Sequence, residues 1–244
     1  MNYCYGKKYA ELLNNPSELE SFSKGKKKNI LKALIALSKY LGLYREFKDR
    51  LKDYDIKWSS TSSIDSFFRI FNNNSKDVLE WYMRAINTLD DDCKIYLKFL
   101  LLSGLRPTEA IHSFNLIRTR FDGYYNEGIL EHFRYPKLFL RNTKNVFITI
   151  VSKSLLEEIT HKNKMTYPTI RMRLRKYQMQ VRLTELRDYY ATFMVRHGLI
   201  REEVDLLQGR ISKSIFVRHY WSPAIKELRD RTLEALRELE STIP

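Results

Sequence analysis

Four separated segments of the chain combine basic side chains with residue types that can react with a phosphate. These segments are Ser103–Glu109, Thr143–Lys144, Leu183–Met194 and Leu206–Trp221. Arginine is permanently charged, and its planar guanidinium can hold two oxygens of a phosphate with parallel hydrogen bonds. A tyrosine hydroxyl that is activated by neighbouring groups can act as a nucleophile and form a covalent intermediate. The segments therefore favour chemistry on an anionic phosphodiester.

The overall charge of the chain indicates a polyanionic partner. The 244 residues contain 43 Lys and Arg against 29 Asp and Glu, which gives a net charge of +14. Both the amino-terminal third and the remainder carry a positive balance, so the basic residues are not confined to a tail. A balance of this size favours binding to nucleic acid, and we expect double-stranded DNA as the partner.

Common cofactor and metal motifs do not occur in the sequence. Neither GxGxxG nor GxxxxGK is present, and the five histidines lack the spacing of metal ligands. Cys4 and Cys93 are too few for a zinc site or a disulfide framework. The acidic run Asp90–Asp92 is more simply explained as charge that complements the start of a helix. We therefore expect no cofactor and no metal.

The sequence predicts no contact with a membrane and an intracellular location. Met1 is followed by polar and basic residues, as Asn2 and Lys7 illustrate, so no signal peptide is expected. The apolar stretches, of which Tyr96–Leu102 is among the longest, are far too short to span a bilayer. A reducing compartment that contains nucleic acid fits best, such as the cytoplasm or nucleoid of a host cell.

Periodicity predicts a mainly α protein that has two helical domains and one small antiparallel sheet. The polar stretch Phe71–Ser75 is the best linker, and it predicts domains over 1–74 and 75–244. The predicted helices cover 8–22, Asn29–Leu43, 44–53, 61–71, Lys76–Leu89, Asp91–Ser103, a segment from Arg106-Pro107, 152–161, 167–179, 184–197, 201–208 and Pro223–Leu239. Four lysines, Lys24 and Lys26–Lys28, precede the second helix and are expected to form a turn that contacts phosphates.

The region 120–150 has a different character. Lys137–Arg141 and Val146–Ile150 are predicted to be two strands that are joined by the turn Asn142–Asn145. This hairpin would place Lys144 at its tip. The last helix, Pro223–Leu239, has an apolar face that can pack either on its own domain or on a neighbouring protomer.

The four segments resemble the motifs of the tyrosine recombinases, or phage-type integrases, and particularly those of archaeal viruses. The family pattern begins with Gly-Leu-Arg-x-x-Glu, which occurs here as Gly104-Leu105-Arg106 with Glu109. A lysine in a β-turn follows, and Lys144 is the candidate. The next motif contains Arg187 followed by Tyr190-Ala191-Thr192, and Leu206–Arg210 then leads to Tyr220. The order and rough spacing agree over residues 103–221.

Two positions depart from the family pattern. Thr184 stands where the family usually has the histidine of His-x-x-Arg, and a threonine does not accept a proton near neutral pH. Arg210 stands where histidine or tryptophan usually follows the glycine. These replacements leave the general base unassigned, and they keep open the alternative of a catalytically impaired protein that only binds DNA.

The resemblance implies a role for each of the matched residues. Arg106 and Arg187 would clamp the non-bridging oxygens of the phosphate, and Arg210 would add a third donor. Tyr220 would attack and form a 3′-phosphotyrosine, and Lys144 would protonate the leaving 5′ oxygen. Thr184 occupies the remaining position of the catalytic set. Lys137, Arg141 and Lys153 are alternatives to Lys144, while Glu109 is expected to position the Arg106 region.

A second group of cations is predicted to hold the DNA backbone, because few acidic residues interrupt it. It comprises Lys162, Lys164, Arg171, Arg173, Arg175, Lys176 and Arg182, together with the amino-terminal Lys24, Lys26, Lys27 and Lys28.

The predicted function is site-specific integration and excision of a mobile element by an archaeal-virus-like integrase. The resemblance implies a tetramer on two DNA sites during strand exchange, and the free protein could be a monomer. One alternative is a related recombinase that resolves replicon dimers. RNA binding is disfavoured, because neither an RNP-like strand nor a GXXG loop occurs in the sequence.

Overall fold

The computed structural model describes residues 2–56, 64, 75–141, 144–210 and 221–243. The chain divides into two compact units, Met1–Asn73 and Asn74–Pro244. The predicted helix over 61–71 and the predicted linker Phe71–Ser75 fall almost entirely outside the described residues. The functions assigned to the two predicted domains remain predictions.

The described residues of the amino-terminal unit contain the helices α1 (Asn2–Lys8), α2 (Lys24–Tyr40) and α3 (Tyr44–Asp53). Its core includes Leu19, Ile30, Leu34 and Phe47, which are almost completely buried. The prediction of α3 is confirmed. The prediction of one helix over 8–22 is wrong, because α1 ends at Lys8 and two 3-10 segments follow it. Pro16, which lacks a backbone N–H, opens the second of these segments.

The start of α2 also differs from the prediction. The helix begins at Lys24 and not at Asn29, so the four lysines lie in its first two turns and do not form a turn before it. Lysine is a good helix former, and the apolar periodicity that begins at Ile30 therefore underestimates the length of the helix. Ser23 precedes the first turn with an extended backbone and makes no side-chain cap.

The second unit is mainly helical with small antiparallel sheets, which confirms the predicted fold class. In the part of this unit that the structure describes, the helices are α4 (Ser75–Thr88), α5 (Asp91–Ser103), α6 (Pro107–Tyr124), α7 (Pro136–Phe139), α8 (Lys153–Thr160), α9 (Tyr167–Lys176), α10 (Leu183–Arg196), α11 (Arg201–Leu207) and α12 (Ile225–Ser241). Its strands are β1 (Tyr125–Asn126), β2 (Ile129–Glu131), β3 (Leu140–Arg141), β4 (Lys144–Asn145) and β5 (Ile148–Ile150). Within the described ranges, each helix is too short or too polar to cross a bilayer.

The predicted hairpin is only partly correct. Pro136–Phe139 forms a short helix, and the two-residue strand β3 pairs with β4, so that Arg141 lies opposite Lys144. Strand β5 pairs with β2 and not with the 137–141 segment. Proline at the first position of α7 favours a helical turn over a strand, and β2 comes from a region where no strand was predicted.

Helix α5 forms the centre of the second unit. Most of its residues are buried, including Leu97, Phe99 and Leu100, and the Tyr96 hydroxyl donates a hydrogen bond of 3.0 Å to the Pro107 carbonyl. The helix starts at the side chain of Asp90, which accepts from the backbone of Cys93, as the acidic run predicts. The functional segments before and after α5 are therefore attached to a rigid core.

Helix α12 packs on its own unit. Leu228, Leu236 and Leu239 are buried in the same core as α5 and α10. Polar contacts support this packing, because Arg231 pairs with Glu203 of α11 and His197 lies 3.2 Å from Glu238.

A buried polar network links α6 to the larger sheet. The Tyr124 hydroxyl lies 2.8 Å from the Ser113 hydroxyl and 2.6 Å from Nδ1 of His132. Nε2 of His132 lies 2.7 Å from the Thr149 hydroxyl on β5. All four side chains are buried. Burial lowers the pKa of His132 to about 3, so the imidazole is neutral in the folded protein.

This shift predicts an acid-sensitive component of stability. The unfolded chain takes up a proton on His132 near its ordinary pKa of about 6.5, whereas the folded chain does not until the pH approaches its depressed pKa. Stability is therefore lost as the pH falls below about 6.5. Between about pH 7.5 and 5.5, the wild type should lose about 1 kcal/mol more free energy of unfolding than His132→Gln. Urea unfolding at the two pH values measures this difference, and equal losses in both proteins would contradict the assignment.

Candidate active site

The first predicted motif lies in the sharp turn between α5 and α6. Gly104 ends α5 in the left-handed conformation with φ of 61°, and a Cβ there would lie 2.3 Å from the Tyr190 ring. Arg106 precedes α6, whose first residue is Pro107. The Glu109 carboxylate accepts a hydrogen bond of 3.1 Å from the backbone N–H of Arg106. Local capping and a close aromatic contact therefore fix the orientation of Arg106.

Glu109 is the organising residue of the site. Its carboxylate is completely buried and is contacted by guanidiniums from three separate elements. Oε1 accepts from Arg106 at 2.7 Å and from Arg141 at 3.3 Å, and Oε2 lies 3.8 Å from Nη1 of Arg187. A buried carboxylate is stable only when it is paired and hydrogen-bonded. Glu109 thus contacts both the backbone and the side chain of Arg106, and it also reaches two further arginines.

Arg187 is buried in the middle of this arrangement. Its guanidinium donates to the carbonyls of Gly104 at 3.1 Å and of Gln208 at 2.8 Å, so it links the end of α5 to the end of α11. Burial, together with the positive charges of Arg106 and Arg210, lowers the pKa of Arg187 to about 10, and Glu109 opposes this shift. The side chain remains charged near neutral pH.

Gln208 is a positioning residue that the sequence pattern did not identify. Its side-chain amide donates to the Arg187 carbonyl at 3.0 Å, while its own carbonyl accepts from the Arg187 guanidinium. The residue is completely buried, although glutamine is usually exposed. The only hint in the sequence is that a polar residue stands between two leucines and a glycine. Its Oε1 and the Tyr190 hydroxyl are buried without a hydrogen-bond partner among the described residues.

The segment after α11 approaches the small hairpin very closely. Gly209 has a φ of 68°, and a Cβ at this position would lie 1.7 Å from the Asn145 carbonyl oxygen. Only glycine fits here, because the backbone of Gly209 packs directly against that of β4. Arg210 follows at once, with half of its side chain exposed and Nη1 3.9 Å from Asp205.

Of the remaining predicted catalytic residues, two are described by the structure and one is not. Lys144 lies in β4, next to the Asn145 backbone that packs on Gly209, and Thr184 is exposed on α10, one turn before Arg187. Tyr220 lies outside the described residues, as do positions 211–219. The described structure therefore brings Arg106 and Arg187 together around Glu109, with Arg210 close enough to affect the pKa of Arg187.

His112 lies near this cluster on α6, one turn beyond Glu109. Its ring packs edge-on against Phe139, with centroids 6.3 Å apart. Partial burial and the positive charge of Arg141 lower its pKa, while Glu109 acts in the opposite direction. No group of three or more His, Cys, Asp or Glu side chains that could hold a metal occurs in the described part of the chain.

The predicted backbone-binding cations of the second unit are not equivalent. Three of them are held by carboxylates: Lys162 by Asp91, Arg173 by Asp90 at 3.2 Å, and Arg182 by Asp77 and Glu185 at 2.8 and 2.5 Å. Arg171 lies over the ring of Tyr167. Lys164, Arg175 and Lys176 are exposed, and among the described residues no carboxylate lies within ion-pairing distance of them.

The predicted lysines of the amino-terminal unit lie on the first turns of α2. Lys27 pairs with Glu20, and Nζ of Lys26 lies 4.3 Å from the centroid of the Phe22 ring. Lys24, Lys26 and Lys28 are exposed. A helix amino terminus that carries several lysines is a surface suited to phosphates.

The sequence model of the archaeal phage integrase family matches residues 70–228, which is more than half of the chain. The chain belongs to this family. The match includes the four segments that carry Arg106, Lys144, Arg187 and Tyr220. No match was found among curated proteins or among solved structures. Membership of the integrase family implies DNA binding and recombinase activity in general, directed to the integration of archaeal viral DNA.

The contact between Gly209 and β4 gives a sharp test of the site. Gly209→Ala places an alanine in the left-handed conformation, which costs about 1–2 kcal/mol. The new Cβ would also overlap the backbone of Asn145. Gly198→Ala is the matched control, because its φ is 90° and a Cβ would meet no atom within 4 Å. Thermal unfolding should show a loss of melting temperature at least twice as large for Gly209→Ala. Equal losses would show that the close approach does not constrain the fold.

Proposed function

We propose that this integrase cleaves and rejoins DNA through a covalent bond to Tyr220. The proposal is supported most by one observation, the convergence of Arg106 and Arg187 on the buried carboxylate of Glu109. Arg141 contacts the same carboxylate, and Arg210 lies close enough to lower the pKa of Arg187, so the cluster has an excess of positive charge suited to a phosphodiester. Tyr220 follows Arg210 by ten residues in the family-matching region.

The proposed reaction is a transesterification. The Tyr220 oxygen attacks the phosphorus, a bond from phosphorus to this oxygen forms, and the bond from phosphorus to the 5′ oxygen of the next nucleotide breaks. The phenolic proton leaves to a base that is unassigned here, since Thr184 does not fill that role. Lys144 supplies a proton to the leaving oxygen, which becomes a 5′-hydroxyl. The product is a 3′-phosphotyrosine.

The arginines accelerate this step by stabilising charge on the non-bridging oxygens. Arg187 is held by two carbonyls and cannot rotate freely, so its charge is already oriented before DNA binds. The phosphotyrosine retains the energy of the original ester. A second 5′-hydroxyl can therefore reverse the step and join a new strand without ATP. On two DNA sites this exchange would use four protomers.

Relaxation of supercoiled plasmid in EDTA tests the proposed chemistry. Wild type should relax the plasmid and leave a protein–DNA adduct that detergent traps, whereas Tyr220→Phe should do neither, because it lacks the attacking oxygen. Tyr125→Phe is the control, since its ring stacks on Phe121 at 5.1 Å and phenylalanine retains that contact. Relaxation by Tyr220→Phe would remove Tyr220 as the nucleophile. The binding-only alternative is favoured if wild type binds DNA in a salt-sensitive way but neither relaxes plasmid nor forms an adduct. This result must also hold on plasmid that carries the attachment site.

We also propose that the exposed cations around the end of α9 hold the DNA backbone. Arg175 and Lys176 have no carboxylate partner among the described residues, so binding DNA breaks no ion pair at these positions. Each phosphate contact releases counterions and makes affinity more dependent on salt.

The double substitution of Arg175 and Lys176 by alanine should weaken DNA binding and lower the slope of log affinity against log salt by roughly 2. The matched control replaces Lys162 and Arg173, whose charges are engaged with Asp91 and Asp90. Fluorescence anisotropy over a salt series measures both slopes. The assignment fails if the two double variants change the slope equally.

A further inference from the structure

Arg141 has the contacts of a functional residue, although the sequence pattern offers it only as an alternative to Lys144. It ends β3, and its backbone N–H donates to the side chain of Asn145 at 2.7 Å. Its Nη2 lies 3.3 Å from Oε1 of Glu109, the same oxygen that Arg106 contacts at 2.7 Å. Almost half of the Arg141 side chain, 47%, remains exposed.

Neutralising Glu109 does not require Arg141. Oε1 of this carboxylate already accepts from the Arg106 guanidinium, and Oε2 accepts from the Arg106 backbone and faces Arg187. One negative charge is therefore shared by three guanidiniums, whose like charges repel each other around a fully buried carboxylate. This repulsion is relieved when an anion binds to the donors that point away from Glu109.

The separation of the two outer guanidiniums fits a single phosphodiester. Because Arg106 Nη1 and Arg141 Nη2 both contact Oε1, these two nitrogens lie within about 6 Å of each other. Charge-assisted hydrogen bonds from a guanidinium to an anionic oxygen are about 2.7–2.9 Å long. One phosphate can therefore be contacted by both side chains, each of which is partly exposed.

We infer that Arg141 is an additional catalytic arginine, which binds a non-bridging oxygen of the reacting phosphodiester together with Arg106. The inference rests on the proposed strand-transfer function. In this arrangement, Glu109 contacts both Arg106 and Arg141. Lys144 lies opposite Arg141 in the β3–β4 strand pair. DNA that binds at the arginines thus also contacts the strand pair from which the leaving oxygen would receive its proton.

The test compares Arg141→Ala and Arg141→Lys with Arg134→Ala. Arg134 is the matched control, because it belongs to the same region, is 55% exposed and pairs with one glutamate, Glu131, which pairs with no other arginine among the described residues. Arg141→Ala should slow adduct formation roughly a hundredfold. Arg141→Lys, which keeps the charge but not the planar fork, should recover part of the rate, and Arg134→Ala should react like wild type.

Binding measurements separate this inference from the proposed function. If wild type forms no adduct, the proposed strand-transfer function is wrong. The role of Arg141 is then tested by measuring binding to duplex DNA with fluorescence anisotropy. Loss of about one unit of salt slope in Arg141→Ala but not in Arg134→Ala supports phosphate contact by Arg141. Equal slopes in these two variants, or a wild-type adduct rate in Arg141→Ala, overturns the inference. If Arg141→Ala does not fold, Arg141→Lys decides, and an unchanged adduct rate in that variant overturns the inference.

Discussion

The arrangement of the site depends on one buried carboxylate. Glu109 is completely enclosed, and a charge in that position must be matched by cations and hydrogen-bond donors. The donors come from the turn before α6, from β3 and from α10, so elements that are distant in sequence are held at one point. Because three guanidiniums share one carboxylate, the cluster is left with a positive excess. The same interaction therefore orders the fold locally and concentrates positive charge where the proposed phosphodiester would bind.

Close backbone packing makes this convergence possible. Gly104 lets the α5–α6 turn lie against the Tyr190 ring, and Gly209 lets the end of α11 lie against the Asn145 backbone. A side chain at either position would push apart the elements that carry the arginines. Arg187 then bridges the two turns through the carbonyls of Gly104 and Gln208. A rigid support of this kind keeps charges oriented without reorganisation when the substrate binds.

Prediction from the sequence succeeded where structure is local. Helices α5 and α3 have the predicted bounds, because the signals that set them are local in sequence: Asp90 and Gly104 flank α5 directly, and Gly42 separates α2 from α3. It was only partly right for the strands, since β2 and β5 are three residues long and pair with each other across about twenty residues of sequence. It also misplaced the start of α2, because lysines extend a helix without adding to its apolar pattern.

The sequence alone determined the mainly helical class, the positive charge and the identity and order of the arginines, since all of these are properties of residue types and short spacings. Tertiary structure decided which cations are available. It engages Lys162, Arg173 and Arg182 with carboxylates, leaves Arg175 and Lys176 exposed, and adds Arg141 to the cluster at Glu109. Ion pairing depends on distances between side chains that are up to about a hundred residues apart in sequence. Such distances are set by the packed core and not by any local pattern.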